Sequence, residues 1–423
     1  MFHRLAGLVV VSLCSPLLAQ DSGKWFELKD FGPVTRRLAV TIENPADVPV
    51  EAALVHLPLK DVKAALPDAK EARLCVVDPA AKPARRDAAD QNFVPFQISH
   101  DKEKDEQILI FAVPLAAHET KRLYVYTAPQ TLNLPGFPPK TAYDDRHAYR
   151  SFENNLIAYR METGPGANTT GMGIDAFGKT AKGRGLRLVE AYESGHDSYH
   201  KLSYWGIDIL KVGYGPAIGG VYVIAGDQLG RPEFQTTYVS CIYTGPVETA
   251  ILMSAPVKVA GREVMVYRTL MLVADDRTIR DEVRVADPNL EGIELGIGIR
   301  DLPSNTWTEK SDAGYAMCAG DANQPGYKSV AIAALFDRAS FSRVIPIEDS
   351  KNKPGYGDGG HVYVLNIKPD RGAIIAHNRL TMIWDGDGDI NNAPDLEKSL
   401  QRWGAQRDHP IKVTVAEQAE SRP

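Results

Sequence analysis

The stretch RLAVTIEN, Arg37–Asn44, alternates apolar and polar side chains, the period-2 pattern of a strand with one face in a core and the other in water. The theme repeats outward at Val50–Pro58, Ala72–Val77, Phe93–Ile98, Gln107–Val113 and Lys121–Thr127, with turns rich in Pro, Asp and Lys between them. Short strands at such regular spacing predict a β-sandwich over residues 24–128. Only Asp61–Glu71 has helical character here, and Pro67 interrupts it.

Pro129–Lys140 holds four prolines and a glycine, which favours an extended linker, placed at residues 129–149. A larger β region is expected over residues 150–416. Its predicted strands are Gly220–Ile224, Gln235–Tyr243, Val247–Ser254, Val264–Leu272, Thr278–Val285, Ile293–Ile299, Val330–Leu335, His361–Ile367 and Ile411–Val415. Helical periodicity is confined to Ala393–Arg407, where Leu396, Leu400 and Trp403 form one apolar stripe. So many strands in one region require a large two-sheet sandwich rather than a compact barrel. No repeat of fixed period occurs, and the polar tail, residues 417–423, is expected to fray.

Residues 1–19 read as a signal peptide: a short basic start to Arg4, an apolar run Leu5–Leu13 and a small-residue end at Ala19. The run is too short to span a bilayer, and no later segment qualifies as a membrane helix. A lipid anchor at Cys14 is disfavoured by Leu13 before it. The expected location is periplasmic or extracellular. A net charge of −6 over 423 residues argues against a polyanion-binding surface, so no nucleic-acid partner is expected. Cys75, Cys241 and Cys318 remain beyond the leader; they permit one disulfide, and no framework of them holds the fold. No zinc-type spacing occurs.

The segment Tyr143–Gly220 differs in kind. It gathers Asn154, Asn155, Tyr159, Arg160, Asp175, Lys179, His196, Tyr199, His200, Trp205, Asp208 and Lys211 among many glycines. Polar, titratable and aromatic side chains at this density suit a sugar-binding cleft. Gly213, Gly215, Gly219 and Gly220 lack the Walker pattern and read as turns. No GxSxG elbow supports a nucleophilic triad.

Four passages resemble a known family. They are VPFQISHDKEKDEQILIFAV (Val94–Val113); YRSFENNLIAYRM (Tyr149–Met161) with GIDAFGK (Gly173–Lys179); YHKLSYWGIDILKVGYGPAIGG (Tyr199–Gly220); and YTGPVETAIL (Tyr243–Leu252) with WGAQRDHPIKVTV (Trp403–Val415). Together they resemble a family of secreted bacterial proteins catalogued as domain of unknown function 4861, often found beside polysaccharide-degrading enzymes. The resemblance implies an all-β chain: an N-terminal sandwich, a large galactose-mutarotase-like β-supersandwich and few short helices. It also implies carbohydrate-active, uronate-related chemistry on a polysaccharide or oligosaccharide. Phe152-Glu153 departs from the Trp-Glu of such relatives, and the Gly164–Thr170 insert is this chain's own.

A uronate lyase must neutralise the substrate carboxylate, remove the acidic proton beside it and protonate the leaving oxygen. His200 or His196 would serve as base and Tyr199 as acid. Arg160, after the apolar strand expected at Leu156–Tyr159, would clamp the carboxylate, with Lys211 and Arg268 as alternatives. The plainer alternative is a structural ion pair of Arg160 with Glu153, Asp175 or Asp208. Tyr159, Asn154, Asp208 and Arg268 are candidate substrate contacts. Trp205, Tyr204, Tyr199 and Tyr214 offer flat amphipathic rings for a sugar, with Trp205 expected to face the cleft. Glu153 and Asp208 would instead be the carboxylate pair of a glycoside hydrolase or epimerase. A non-catalytic glycan-binding protein is the third reading. Asp385–Asp395, DGDGDINNAPD, resembles the start of a calcium loop, but Ile390 stands where glycine is needed and Leu396 where glutamate is. A turn before the C-terminal helix is the better reading, and no cofactor is expected.

Overall fold

A computed structural model describes Trp25 and residues 34–80, 93–102, 104–128, 139–145, 149–162, 172–186, 188, 201–210, 212, 215–321, 329–348 and 359–422. The chain divides into two compact units. Unit 1 comprises Met1–Pro139, Gly245–Val247 and Ala405–Pro423; unit 2 comprises Lys140–Thr244 and Glu248–Gly404. The expected leader and most of the expected linker lie outside the described residues.

Unit 1 contains β1 (Arg36–Glu43), β2 (Val50–Pro58), α1 (Leu59–Ala65), β3 (Leu74–Val77), β4 (Phe93–Val94), β5 (Phe96–Asp101), β6 (Glu106–Leu115) and β7 (Thr120–Thr127). One sheet runs in the order of the C-terminal strand Lys412–Val415, then β1, β7, β3 and β4; the other is β2-β6-β5. Leu38, Val40 and Ile42 of β1 pack with Val55, Leu109, Phe111, Leu123 and Val125, so the opening stretch does place its apolar residues in a core. At the start of β1 the other face is buried as well, contrary to the half-buried reading, whereas Thr41 and Glu43 further along stay partly exposed. Arg37 and Ala39 join Cys75, Val77, Tyr124 and Tyr126 beneath a second cover. Arg37 tolerates burial because its guanidinium lies 3.7 Å from the Tyr124 ring centroid and 4.4 Å from that of Trp25, and bonds Glu420 at 2.7 Å.

Unit 2 begins with β8 (Thr141–Asp144), β9 (Tyr149–Asn154), β10 (Ile157–Glu162), β11 (Asp175–Lys179) and β12 (Gly206–Asp208), which form one five-stranded antiparallel sheet. Then follow β13 (Ile218–Ala225), β14 (Gln228–Gly230), β15 (Tyr238–Tyr243), β16 (Glu248–Val259), β17 (Arg262–Val273), β18 (Ile279–Ala286) and β19 (Ile293–Arg300). The unit continues with β20 (Thr306–Lys310), β21 (Tyr315–Gly320), β22 (Val330–Leu335), β23 (Phe341–Ile347), β24 (Gly360–Leu365), β25 (Ala373–Trp384) and α2 (Ala393–Asp408). The C-terminal strands are β26 (Lys412–Val415) and β27 (Glu420–Ser421). Both pair with β1, so the end of the chain belongs to unit 1 rather than to the larger region, and part of the expected frayed tail is a strand.

Two large sheets make the sandwich of unit 2: β15-β16-β17-β18-β25-β22-β21-β20 and β14-β13-β19-β24-β23. Val264, Val266, Leu270 and Leu272 of β17, Val283 and Val285 of β18 and Ile374 of β25 share a core with Val221, Val223, Leu295, Ile297, Ile299 and Tyr363. The β16–β17 hairpin turns at Ala260-Gly261, both with positive φ (49° and 73°), the backbone twist that a two-residue hairpin loop needs. Trp384, at the end of β25, ties the smaller sheet to this sandwich. Its Nε1 donates to Lys179 O at 3.2 Å, and Cβ atoms at Gly178 or Gly386 would collide with its ring. Helix α2 lays Leu396, Leu400 and Trp403 on Tyr315, Met317 and Ile383. Asn392 caps it, accepting from Asp395 N at 3.0 Å while donating to Asp395 Oδ2 at 2.7 Å.

The all-β architecture with few helices matches the expectation. Cys75 and Cys318 are buried free thiols. Cys241 on β15 and Cys318 on β21 sit six strands apart in one sheet, roughly 29 Å at ordinary strand spacing. No helix among the described residues is long and apolar enough to cross a membrane.

Candidate functional site

The sheet β12-β11-β10-β9-β8 sorts its side chains by alternation. On one face Phe152, Ile157, Tyr159, Met161, Ala176 and Ile207 enter the sandwich core. The register Glu153↔Ala158↔Phe177↔Asp208 sets the opposite face, which adds Arg160, Asp175 and Lys179 two residues along the same strands. Five charged side chains therefore share one face, three acidic and two basic, and every one is buried. Ala158, Phe177, Leu188 and Trp205 supply its apolar part.

Two ionic groups divide this face. Arg160 Nη2 lies 2.5 Å from Asp175 Oδ2 and 3.6 Å from Asp208 Oδ2, with its guanidinium carbon 5.1 Å from the Phe177 ring centroid. Lys179 Nζ pairs with Glu153 Oε2 and donates to Asn154 O and Gly185 O, each at 2.6 Å. Glu153 Oε2 also accepts from Leu188 N at 3.1 Å. A buried charge survives only when paired and hydrogen-bonded, and both groups meet that condition.

The same pair anchors one root of the segment that carries the sequence-predicted histidines, while Thr180 anchors the other. Thr180 N donates to Trp205 O at 2.9 Å and its Oγ1 to Tyr204 O at 2.7 Å. Gly183 is required there, because a Cβ would strike the Trp205 backbone. At this edge Tyr204 is 64% exposed, and Lys182 and Lys201 are exposed beside it. Arg184 turns to Asp389.

His196, Tyr199, His200 and Lys211 lie outside the described residues. The remaining expectations are corrected in part. Arg160 takes the structural ion pair with Asp175 and Asp208. Trp205 does not face a cleft: it is 1% exposed, packed against Phe177 and Leu188, and the neighbouring ring, Tyr204, is the one in solvent. Tyr159 points to the core face, stacks on Phe152 at 5.5 Å and donates to Arg277 O at 3.2 Å; burial pushes its phenol up. Asn154 is consumed locally, donating to Val273 O and Asp276 O and accepting from Leu156 N and Ile157 N. Arg268, fully buried on β17, pairs with Asp281 at 2.7 Å and donates to Met172 O. It shares no cluster with Arg160. Asp208 alone of the expected contacts stays with Arg160.

Residues that the sequence reading passed over matter here. Arg277 pairs with Asp387 and, at 2.9 Å, with Asp389, so a guanidinium engages two carboxylates of the calcium-like run. Asp387 Oδ1 accepts from Asp389 N at 3.2 Å, and desolvation holds its carboxyl above the usual range. Among the described residues no group of three or more His, Cys, Asp or Glu is placed to hold a metal ion.

A family model described as "Domain of unknown function (DUF4861)" matches residues 42–413. None of the curated proteins matches the chain. Two solved structures from Enterococcus faecalis are similar to it: an alpha-mannosidase at 9% identity and a glycosyl hydrolase family 38 protein at 8%, each with a TM-score of 0.48. Each match covers 90% of this chain but only 46% and 47% of the other, so the chain spans about half of either, and neither likeness transfers an activity to it.

Proposed function

The chain belongs to the family described as domain of unknown function (DUF4861), and on that premise we propose that it is an exported carbohydrate-active protein that cleaves a uronic-acid-containing glycan by β-elimination. The observation that supports this reading is the buried ionic face of the five-stranded sheet, edged by the exposed Tyr204 ring and the Lys182 and Lys201 ammonium groups. A basic, aromatic edge suits an acidic sugar: the ring packs on its C–H face and the ammonium groups offset its carboxylate.

In this reading His200 or His196 removes the proton beside the carboxylate and Tyr199 protonates the leaving oxygen. Arg160 orients Asp208 instead of binding substrate, since its own charge is already met. The carboxylate clamp then falls to Lys211 or to the lysines at the edge. Hydrolysis by Glu153 and Asp208 is disfavoured by register. They stand three strand spacings apart, roughly 14 Å, whereas paired glycosidase carboxylates stand about 5–9.5 Å apart.

Incubation with acidic polysaccharides tests the reading through the ultraviolet absorbance of an unsaturated uronate product. Absorbance should rise with the intact protein, and His200→Ala should abolish the rise while leaving the unfolding transition in place. New reducing ends without absorbance would replace elimination by hydrolysis. Binding with no product would reduce the protein to a glycan receptor.

A further inference from the structure

Where the edge strand β20 meets β24, a second polar cluster closes the sandwich of unit 2. Trp307 on β20 and His361 on β24 bring their rings to 4.1 Å between centroids at 75°. Asp301, just after β19, joins them. Its Oδ1 accepts from Trp307 Nε1 at 2.9 Å and from Asn305 Nδ2 at 2.8 Å, and lies 4.0 Å from His361 Nδ1. The His361 and Asp301 side chains are 29% and 38% exposed, Trp307 is half-buried and Asn305 is exposed.

Beneath the cluster Trp307 packs on the core, where Tyr363 stacks on Phe336 at 5.6 Å. The hydrogen bonds leave a defined set of groups facing outward. His361 Nδ1 is buried without a hydrogen-bond partner, 4.0 Å from Asp301 Oδ1, while 29% of the side chain stays in solvent. Asp301 Oδ1 is occupied by two donors, so Oδ2 remains for an incoming hydroxyl. The indole is fixed by its own N–H and keeps part of its surface in solvent. A carboxylate oxygen, an amide and an imidazole beside a fixed apolar ring complement a pyranose, whose hydroxyls meet polar groups while its C–H face packs on an aromatic ring.

We infer that Trp307, Asp301, Asn305 and His361 form a second saccharide subsite, sharing no residue with the ionic face and taking a neutral, hydroxyl-rich pyranose. Asp301 disfavours a uronate here by like-charge repulsion, the reverse of the lysine-edged site. The class of ligand rests on the glycan reading above; the place and the preference for a neutral sugar do not.

Calorimetric titration of the intact protein with cellohexaose, xylohexaose and mannohexaose, and separately with an oligogalacturonate, tests the subsite. At least one neutral hexaose should bind, with affinity reduced tenfold or more by Trp307→Ala, Asp301→Asn or His361→Ala and unchanged by Tyr238→Ala at an exposed position on β15. Should Trp307→Ala fail to fold, the two polar substitutions at half-exposed positions carry the test alone. Neutral-sugar binding indifferent to all three changes, or oligogalacturonate binding with no neutral binding, would overturn the subsite and leave the proposed function standing. No binding of any of these glycans would overturn both.

Discussion

The two faces of the sheet β8–β12 alternate along the same strands and are buried to the same degree, yet they stabilise the protein by opposite means. The apolar face gains from area removed from water, about 1.5–3 kcal/mol for each large side chain. The ionic face begins with a desolvation cost that its pairs only offset, and buried ion pairs replaced by well-packed apolar residues often cost nothing. Burial alone therefore accounts for Phe152 and Ile157. It does not account for Glu153, Lys179, Arg160, Asp175 and Asp208; of these, Lys179 and Glu153 also tie down the backbone at Asn154, Gly185 and Leu188.

The comparison breaks most visibly at single substitutions. Lys179→Met strands the Glu153 carboxylate and should lower unfolding free energy by about 3–5 kcal/mol; Phe152→Ala should cost a similar amount through its cavity. The double substitution Lys179→Met with Glu153→Leu should recover most of the first loss in urea denaturation. Loss of glycan processing without loss of stability in that double variant would sharpen the contrast; full activity would erase it.

A smaller effect appears on acidification. Desolvation would raise the Asp389 carboxyl, but hydrogen bonds from Arg184 and Arg277 outweigh it and hold it below its usual value. For a depressed acid the stabilisation is complete above the unfolded value, near 3.9, and is lost as pH falls through the lower folded value. Arg184→Ala should weaken this acid limb by less than about 1 kcal/mol, since the Asp389 side chain is 54% exposed. Denaturation midpoints between about pH 5 and pH 2 check the sign. The smallest stability change belongs to Tyr204→Ala, within about 0.5 kcal/mol, although acidic-glycan binding should fall markedly in the same variant.

Much of the fold was legible because most strands keep clean periodicity. Val50–Pro58 and Val330–Leu335 have the observed limits, and the stripe Leu396, Leu400, Trp403 marks α2. In the sheet β8–β12 the sequence announces only the strand at Leu156–Tyr159, because charges occupy the inward positions of the rest and spoil the apolar alternation. Strand β25 was missed where His377, Asn378 and Arg379 interrupt its apolar run. The site was half legible. The charge density of the segment is plain in the sequence, and the ion pairing of Arg160 with Asp175 and Asp208 is among the alternatives it offers. Which of two adjacent rings faces solvent depends on Gly183 and Gly206, whose close backbone contacts fold Trp205 inward, and no side-chain pattern announces that. Asn154 and Arg268 look like ligand contacts by type, but their partners come from Val273, Asp276 and Asp281, more than ten residues away in the chain.

The most direct test of the ionic face as the site is a crystal structure with a bound acidic oligosaccharide. The account predicts a sugar ring against Tyr204, its carboxylate toward Lys182 or Lys201, above the face that carries Lys179 and Arg160. An oligosaccharide seated elsewhere, with Tyr204 and both lysines untouched, would contradict it.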